Sequence, residues 1–298
     1  MNKILENVFS IKNINYHKIW TIFGIKFKFL NVQQIYLDKI SLIHNEIKKN
    51  QKNNDKNFEL LITSINRAFY QLKKDIDFTT YWNNSSIYNE FDKQAHLDTI
   101  RFIEETIDTT QILFLKDRWK NLEYCAKKAQ KNSGLFIECG VHSGRSINHI
   151  AKVIIDRTIH GFDSFEGLPD EWNGFTMQTG DFNLNGELPK VSDNVTLHKG
   201  WFNNTLSEFL KINNKKIAFL HIDCDLYQST IEVLNAVLPY LMIGTVIVFD
   251  EFFNYPNWRN HEFKAFSEFI EKTGIEFKYI SIGHLQVGIE IINMEGNK

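Results

Sequence analysis

Apolar residues recur at helical spacing early in the chain, at Ile35, Ile40, Ile43 and Ile47 and again at Leu60, Ile62, Ile65 and Phe69. Steps of three and four residues lay such side chains on one face of a helix, so both stretches are expected to be amphipathic helices. Two more helices are expected over residues 92–105 and 117–131, the last stopped by Asn132-Ser133-Gly134. The first 130 residues hold a single glycine, Gly24, and no proline, which favours a mainly helical region. Residues 48–57 are rich in Lys, Asn and Gln with nothing to bury, and read as a loop or a solvated helix end. The aromatic and basic stretch 16–29 is expected to be strand-like and packed on the rest of the protein rather than laid on a membrane surface.

After Gly134 the pattern changes. Short apolar runs at 135–137, 159–162, 195–197, 217–222 and 245–249 alternate with helical periodicity, the signature of a parallel sheet covered on both faces. Runs at 276–280 and 286–292, joined through Gly283-His284, read as a terminal antiparallel pair. The expected fold is therefore α/β: a doubly wound, mostly parallel, seven-stranded Rossmann-like sheet over residues 132–298, preceded by a helical N-terminal extension over residues 1–131. Residues 164–194 make a long connection, and loops of that length usually serve as lids or binding loops.

Composition narrows the partners. Lys+Arg (34) and Asp+Glu (36) nearly cancel, and the formal net charge of −2 gives no general attraction to nucleic acid or anionic lipid. An acid, Glu6, comes before any apolar run, and no stretch reaches the roughly 18 apolar residues a membrane span requires, so neither a signal peptide nor an integral membrane segment is expected. Three cysteines without disulfide or zinc spacing fit a reducing, cytoplasmic setting.

Candidate chemistry gathers at the ends of the expected strands. Gly140 and Gly144 follow the first strand, where a backbone without Cβ atoms approaches a ligand closely. Their Gly-x-x-x-Gly spacing is neither the dinucleotide fingerprint nor a phosphate loop. Glu138 suits a cationic group, and Asp163, at the end of the next strand, suits ribose hydroxyls. Together they point to S-adenosylmethionine, with its ammonium, sulfonium and ribose. Asp223, Asp225, Asp250 and Glu251 fall at the ends of two strands expected to be neighbours. Such carboxylates repel one another unless protonated or bound to a cation, and an oxygen-only set suits magnesium. Asp223, Asp250 and Glu251 are the expected metal ligands, placed to acidify a substrate hydroxyl. The aromatic tract 252–258 and Trp172 are expected either to wall the site or to pack. Arg145 and Lys199 offer charge to an anionic substrate, or are solvated.

Five blocks in order carry a resemblance: Ile137-Glu-Cys-Gly-Val-His-Ser-Gly-Arg-Ser146, Gly161-Phe-Asp-Ser-Phe-Glu-Gly-Leu-Pro169, Lys199-Gly-Trp-Phe202, Leu220-His-Ile-Asp-Cys-Asp-Leu-Tyr-Gln-Ser-Thr230 and Val246-Ile-Val-Phe-Asp-Glu-Phe252. Together they resemble the macrocin O-methyltransferase family, class I enzymes that act mainly on sugar hydroxyls, often with magnesium. The resemblance covers residues 134–292. It implies adenosylmethionine contacts at Glu138, Gly140, Ser146, Asp163 and Ser164, with Gly200 and Trp201 near the adenine, and metal ligation by Asp223, Asp250 and Glu251. Two positions depart from some relatives: Glu251 stands where they have Asp, and Leu226 where they carry a Lys or His base. The base is therefore sought among Asp223, Asp225, His142 and His221. The implied activity is O-methylation of a sugar, free or linked to a nucleotide or polysaccharide. A catechol-like or nitrogen acceptor, or an inactive binding protein on the same fold, are the alternatives. The N-terminal region is expected to build a homo-oligomer interface or to roof the acceptor.

Overall fold

A computed structural model describes the backbone of residues 9–14, 17–22 and 25–30, and the whole of residues 87–294. The expected helices around 35–47 and 60–69 and the loop at 48–57 lie outside the described residues. β1 (Phe9–Ile14), β2 (His17–Ile22) and β3 (Ile25–Leu30) form an antiparallel sheet in that order. The strand expected in 16–29 is thus present, and the helical expectation for this part of the N-terminal region is corrected. Lys26 and Lys28 alternate with Ile25, Phe27 and Phe29, a two-residue period that serves a strand and not a helix.

Residues Asn84–Lys298 form a separate compact unit. It begins with α1 (Ile87–Thr106), β4 (Leu113–Phe114) and α2 (Arg118–Ala129). These elements belong with the large sheet rather than with the residues before them, so this unit starts well ahead of residue 132. Asp117 caps α2, its carboxylate accepting from the Trp119 amide at 2.8 Å. There follow β5 (Leu135–Cys139), α3 (Arg145–Val153), β6 (Ile159–Asp163), β7 (Val195–Lys199), α4 (Phe202–Asn213), β8 (Ile217–Ile222), α5 (Tyr227–Val237), β9 (Val246–Phe249), α6 (Glu262–Thr273), β10 (Glu276–Ile282) and β11 (Val287–Asn293). No helix among the described residues is long and apolar enough to cross a membrane.

The sheet order is β4-β10-β11-β9-β8-β5-β6-β7. β11 runs antiparallel to both β9 and β10, and the other pairings are parallel. All seven expected strands are present. The eighth, β4, is a two-residue edge strand, too short to leave a periodic signal. β5, β8 and β9 are buried along their whole length, as strands covered on both faces must be. Ile137, Leu220 and Ile247 pack toward α4, α5 and α6, while Phe136, Phe219 and Val248 pack toward α2 and α3.

The chain runs outward from β5 through β6 to β7, then returns to the other side of β5 with β8 and β9. The reversal leaves a crevice beyond the carboxyl ends of β5 and β8, where ligands of open α/β sheets bind. Gly140 lets the two strand ends meet there. Its φ is +91°, and a Cβ would fall 1.7 Å from the Asp223 carbonyl oxygen.

Candidate active site

The turn after β5 is organised by the carboxylate at the end of β6. Asp163 Oδ2 accepts from the amides of Val141 (2.8 Å) and His142 (2.7 Å), and Oδ1 accepts from the Phe165 amide at 2.7 Å. A carboxylate so placed fixes the loop and still keeps lone pairs for a ligand. Gly144 caps α3 in the left-handed region at φ 78°.

A cavity of about 420 Å³ opens over this turn. Of the residues expected to contact a methyl donor, Gly140, Ser146, Asp163, Ser164, Gly200 and Trp201 line it. Gly144 does not, and serves the turn. Glu138 is also absent from the lining. It is fully buried, its Oε1 accepting from Ser146 Oγ at 3.1 Å and its Oε2 lying 2.8 Å from His221 Nδ1. Glu138 thus reaches the cavity only through Ser146, because its own oxygens are already engaged.

Asp223, Asp225 and Glu251 line the same cavity. Their carboxylate oxygens lie within 4.8 Å of one another. Asp225 sits at φ 64°, a strained value that turns its side chain from the end of β8 into the cluster. Burial, and then the charge of Asp250, raises its pKa to about 7. Burial and the neighbouring acids hold Asp223, Glu251 and Glu262 well above the usual carboxylate range. Glu262, at the start of α6, accepts from the Glu251 amide at 3.1 Å and so positions it. Glu251 Oε2 and Glu262 Oε1 are both buried with no hydrogen-bond partner, and an orphaned oxygen on Glu251, which lines the cavity, fits a cation.

Asp250 stands apart from that trio in its bonding. Its Oδ1 lies 3.1 Å from His221 Nε2 and accepts from Gln286 Nε2, and its Oδ2 lies 2.7 Å from Arg118 Nη2. Burial opposes its ionisation, but the hydrogen bond and charge of His221 and the charge of Arg118 outweigh it and carry the pKa down to about 2. Asp250 is a neutralised ion-pair centre, and it does not line the cavity.

His221, one of the candidate bases, is fully buried and does not line the cavity. Burial disfavours its charged form, yet the hydrogen bonds to Asp250 and Glu138 and the charge around them prevail and raise its pKa to about 10. Both ring nitrogens then donate, and no lone pair is left to take a proton. His142 lines the cavity with its ring against Phe182, at 5.3 Å between centroids. Leu226, where a base was sought, is buried and apolar.

The remaining candidates divide. Burial pushes the Cys139 and Cys224 thiols well above their usual pKa, so neither is a thiolate nucleophile. Phe252, Phe253, Tyr255 and Trp258 are core residues. Trp172 does face the cavity, packed on Phe175 at 4.3 Å, so the long loop supplies an aromatic wall. Arg145 lines the cavity and lies over the Trp119 ring, whereas Lys199 Nζ is tied to the Gly186 carbonyl at 2.7 Å. Sequence reasoning missed Arg118, Gln286 and Glu262. The cap residue Asp117 announces the helix that carries Arg118, but nothing local announces its partners more than a hundred residues away.

Residues 137–252 match a family described as a methyltransferase domain. The 8-demethyl-8-(2,3-dimethoxy-alpha-L-rhamnosyl)-tetracenomycin-C 4'-O-methyltransferase of Streptomyces olivaceus is 27% identical over 162 residues, 45% of this chain and 60% of that protein. The mycinamicin III 3''-O-methyltransferase of Micromonospora griseorubida is 27% identical over 161 residues, 45% of this chain and 62% of that protein. The chain thus spans about three fifths of the length of these curated relatives. The crystal structure of the calicheamicin methyltransferase CalS11 aligns over 74% of this chain and 92% of that one, at 21% identity and a TM-score of 0.49.

Proposed function

We propose that this chain, a class I methyltransferase by the domain at residues 137–252, moves the methyl group of S-adenosylmethionine to a hydroxyl of a sugar, free or carried on a nucleotide or polysaccharide, with magnesium assisting. The reading is carried by one observation: Asp163 and Trp201 line the same cavity as Asp223, Asp225 and Glu251. A glycine turn, a carboxylate and a partly exposed indole suit a nucleoside. The partnerless Glu251 Oε2 suits a cation. The sugar acceptor is supported by what the two curated relatives are named for.

In this reading the turn at 140–146, Asp163 and Trp201 hold the donor. Bound there, S-adenosylmethionine supplies an electrophilic methyl on a sulfonium. Asp223 and Glu251 would hold magnesium, an ion that typically takes one or two carboxylates and would polarise a substrate hydroxyl there. Asp225, with its raised pKa, would accept the proton of the acceptor hydroxyl as that oxygen bonds to the methyl carbon and the methyl–sulfur bond breaks, leaving the neutral thioether S-adenosylhomocysteine. Trp172 and Phe175 exclude water from the acceptor side. Arg118 and Trp119 line the cavity from α2. The three free, buried cysteines are in keeping with a cytoplasmic setting.

Incubation with methyl-labelled S-adenosylmethionine and a panel of nucleotide sugars, polysaccharide precursors, catechols and amines tests the reading. Label is expected on a sugar oxygen, lost with EDTA and restored by magnesium. Label on a catechol or amine, or on nothing in the panel, contradicts it.

A further inference from the structure

The acidic side of the cavity already has a cation built against it. Arg118, the first residue of α2, places Nη2 2.7 Å from Asp250 Oδ2 and 3.7 Å from Asp223 Oδ2. The two contacts differ in kind. The first is a charge-assisted hydrogen bond to a buried carboxylate that His221 and Gln286 also hold. The second is beyond hydrogen-bonding distance, toward a carboxylate whose side chain is 22% exposed and lines the cavity. The guanidinium lies over its neighbour Trp119, 5.0 Å from the ring centre, with 42% of the side chain exposed. Stacking directs the group, and exposure leaves it room to move.

Asp223 is the hinge between two groupings. With His221 and Asp250 it forms one set of mutually close ligand atoms, and with Asp225 and Glu251 another. The first set is already neutralised by His221 and Arg118. The second carries the buried Glu251 Oε2 without a partner.

We propose that Arg118 is a tethered counter-ion of this cluster, fixed to Asp250 and sharing Asp223 with a divalent cation, so that the cation binds in competition with the guanidinium. The inference rests on the reading that magnesium is held by Asp223 and Glu251. An arginine does not lose its charge at any working pH, so the competition is permanent and keeps cation affinity low in the free protein. Removing the positive charge while keeping the apolar stem therefore strengthens cation binding.

The test is a titration of the full chain with Mn²⁺, followed through the electron paramagnetic resonance signal of the free ion, in wild type, Arg118→Met and Arg118→Lys. Arg118→Met is expected to bind about tenfold more tightly or better, and Arg118→Lys within about threefold of wild type. Arg118→Met is also expected to melt lower than wild type in EDTA and to recover when Mg²⁺ is added. Equal or weaker Mn²⁺ binding in Arg118→Met overturns this proposal alone. No binding by any of the three proteins overturns the magnesium reading with it. Should Arg118→Met not fold, Arg118→Gln is read by the same criteria.

Discussion

His221 Nδ1 lies 2.8 Å from Glu138 Oε2, and neither side chain has any solvent exposure. Sheet register makes the two residues direct partners across β5 and β8. With Asp250 on the other ring nitrogen, His221 bridges two buried carboxyl groups, of which Asp250 is held ionised while burial raises the pKa of Glu138. Removing His221 takes from Glu138 its ring partner and from Asp250 one of its two counter-charges, Arg118 being the other, so His221→Phe is expected to lower stability by about 3–5 kcal/mol, measured by urea unfolding. A loss below about 1 kcal/mol, the size of an exposed ion pair, contradicts the arrangement.

The same centre sets a pH window. The pKa of His221 is raised from 6.5 to about 10, so its contribution is complete below 6.5 and lost as pH rises toward 10. For Asp250 the pKa falls from 3.8 to about 2, so its contribution is complete above 3.8 and lost as pH falls toward 2. The stability gap between wild type and His221→Phe is therefore expected to be widest between these limits and to shrink toward pH 10. A gap that widens with alkaline pH contradicts the assignment of His221 as protonated.

On the proposed reading, Asp225 and Glu251 divide the chemistry of the cavity. Asp225→Asn is expected to cut methyl transfer about a hundredfold or more while leaving cation affinity within about threefold, because the base is lost and two ligands remain. Glu251→Gln is expected to lose the cation itself. Transfer rates and Mn²⁺ titrations on the two variants separate the roles, and an Asp225→Asn protein with unchanged transfer removes that residue as the base.

Gly140 ties the donor turn to the acidic strand end. A methyl group there meets the Asp223 carbonyl at 1.7 Å on a backbone with φ +91°. Gly140→Ala is expected to cost at least about 3 kcal/mol and to weaken cation binding as Asp223 shifts. Thermal melting and the same Mn²⁺ titration check both effects, and an unperturbed protein shows that the strand ends are not in contact.

Much of the large sheet could be read in the sequence because burial on both faces writes itself as short apolar runs. β5, β8 and β9 announced themselves in that way, and the acids just past them were found at the carboxyl edge. What the sequence concealed depends on register and on distance along the chain. His221 looked like an available base until its pairing with Glu138 and its reach to Asp250 were known. Asp250 was legible as an acid at a strand end, but its engagement by Arg118 and Gln286, from a helix far upstream and the edge of β11 far downstream, was not. β1 to β3 were partly visible in the Lys and aromatic alternation, yet scarce glycine and proline argued the other way. That scarcity is permissive of helix without requiring it.

The central claim is that methyl donor and cation share one cavity, and the methyl carbon reports it directly. With ¹³C-methyl S-adenosylmethionine bound and Mn²⁺ added, the methyl resonance is expected to broaden strongly in wild type and to stay sharp in Glu251→Gln. A resonance that remains sharp in wild type at saturating Mn²⁺ places the cation elsewhere and contradicts the account.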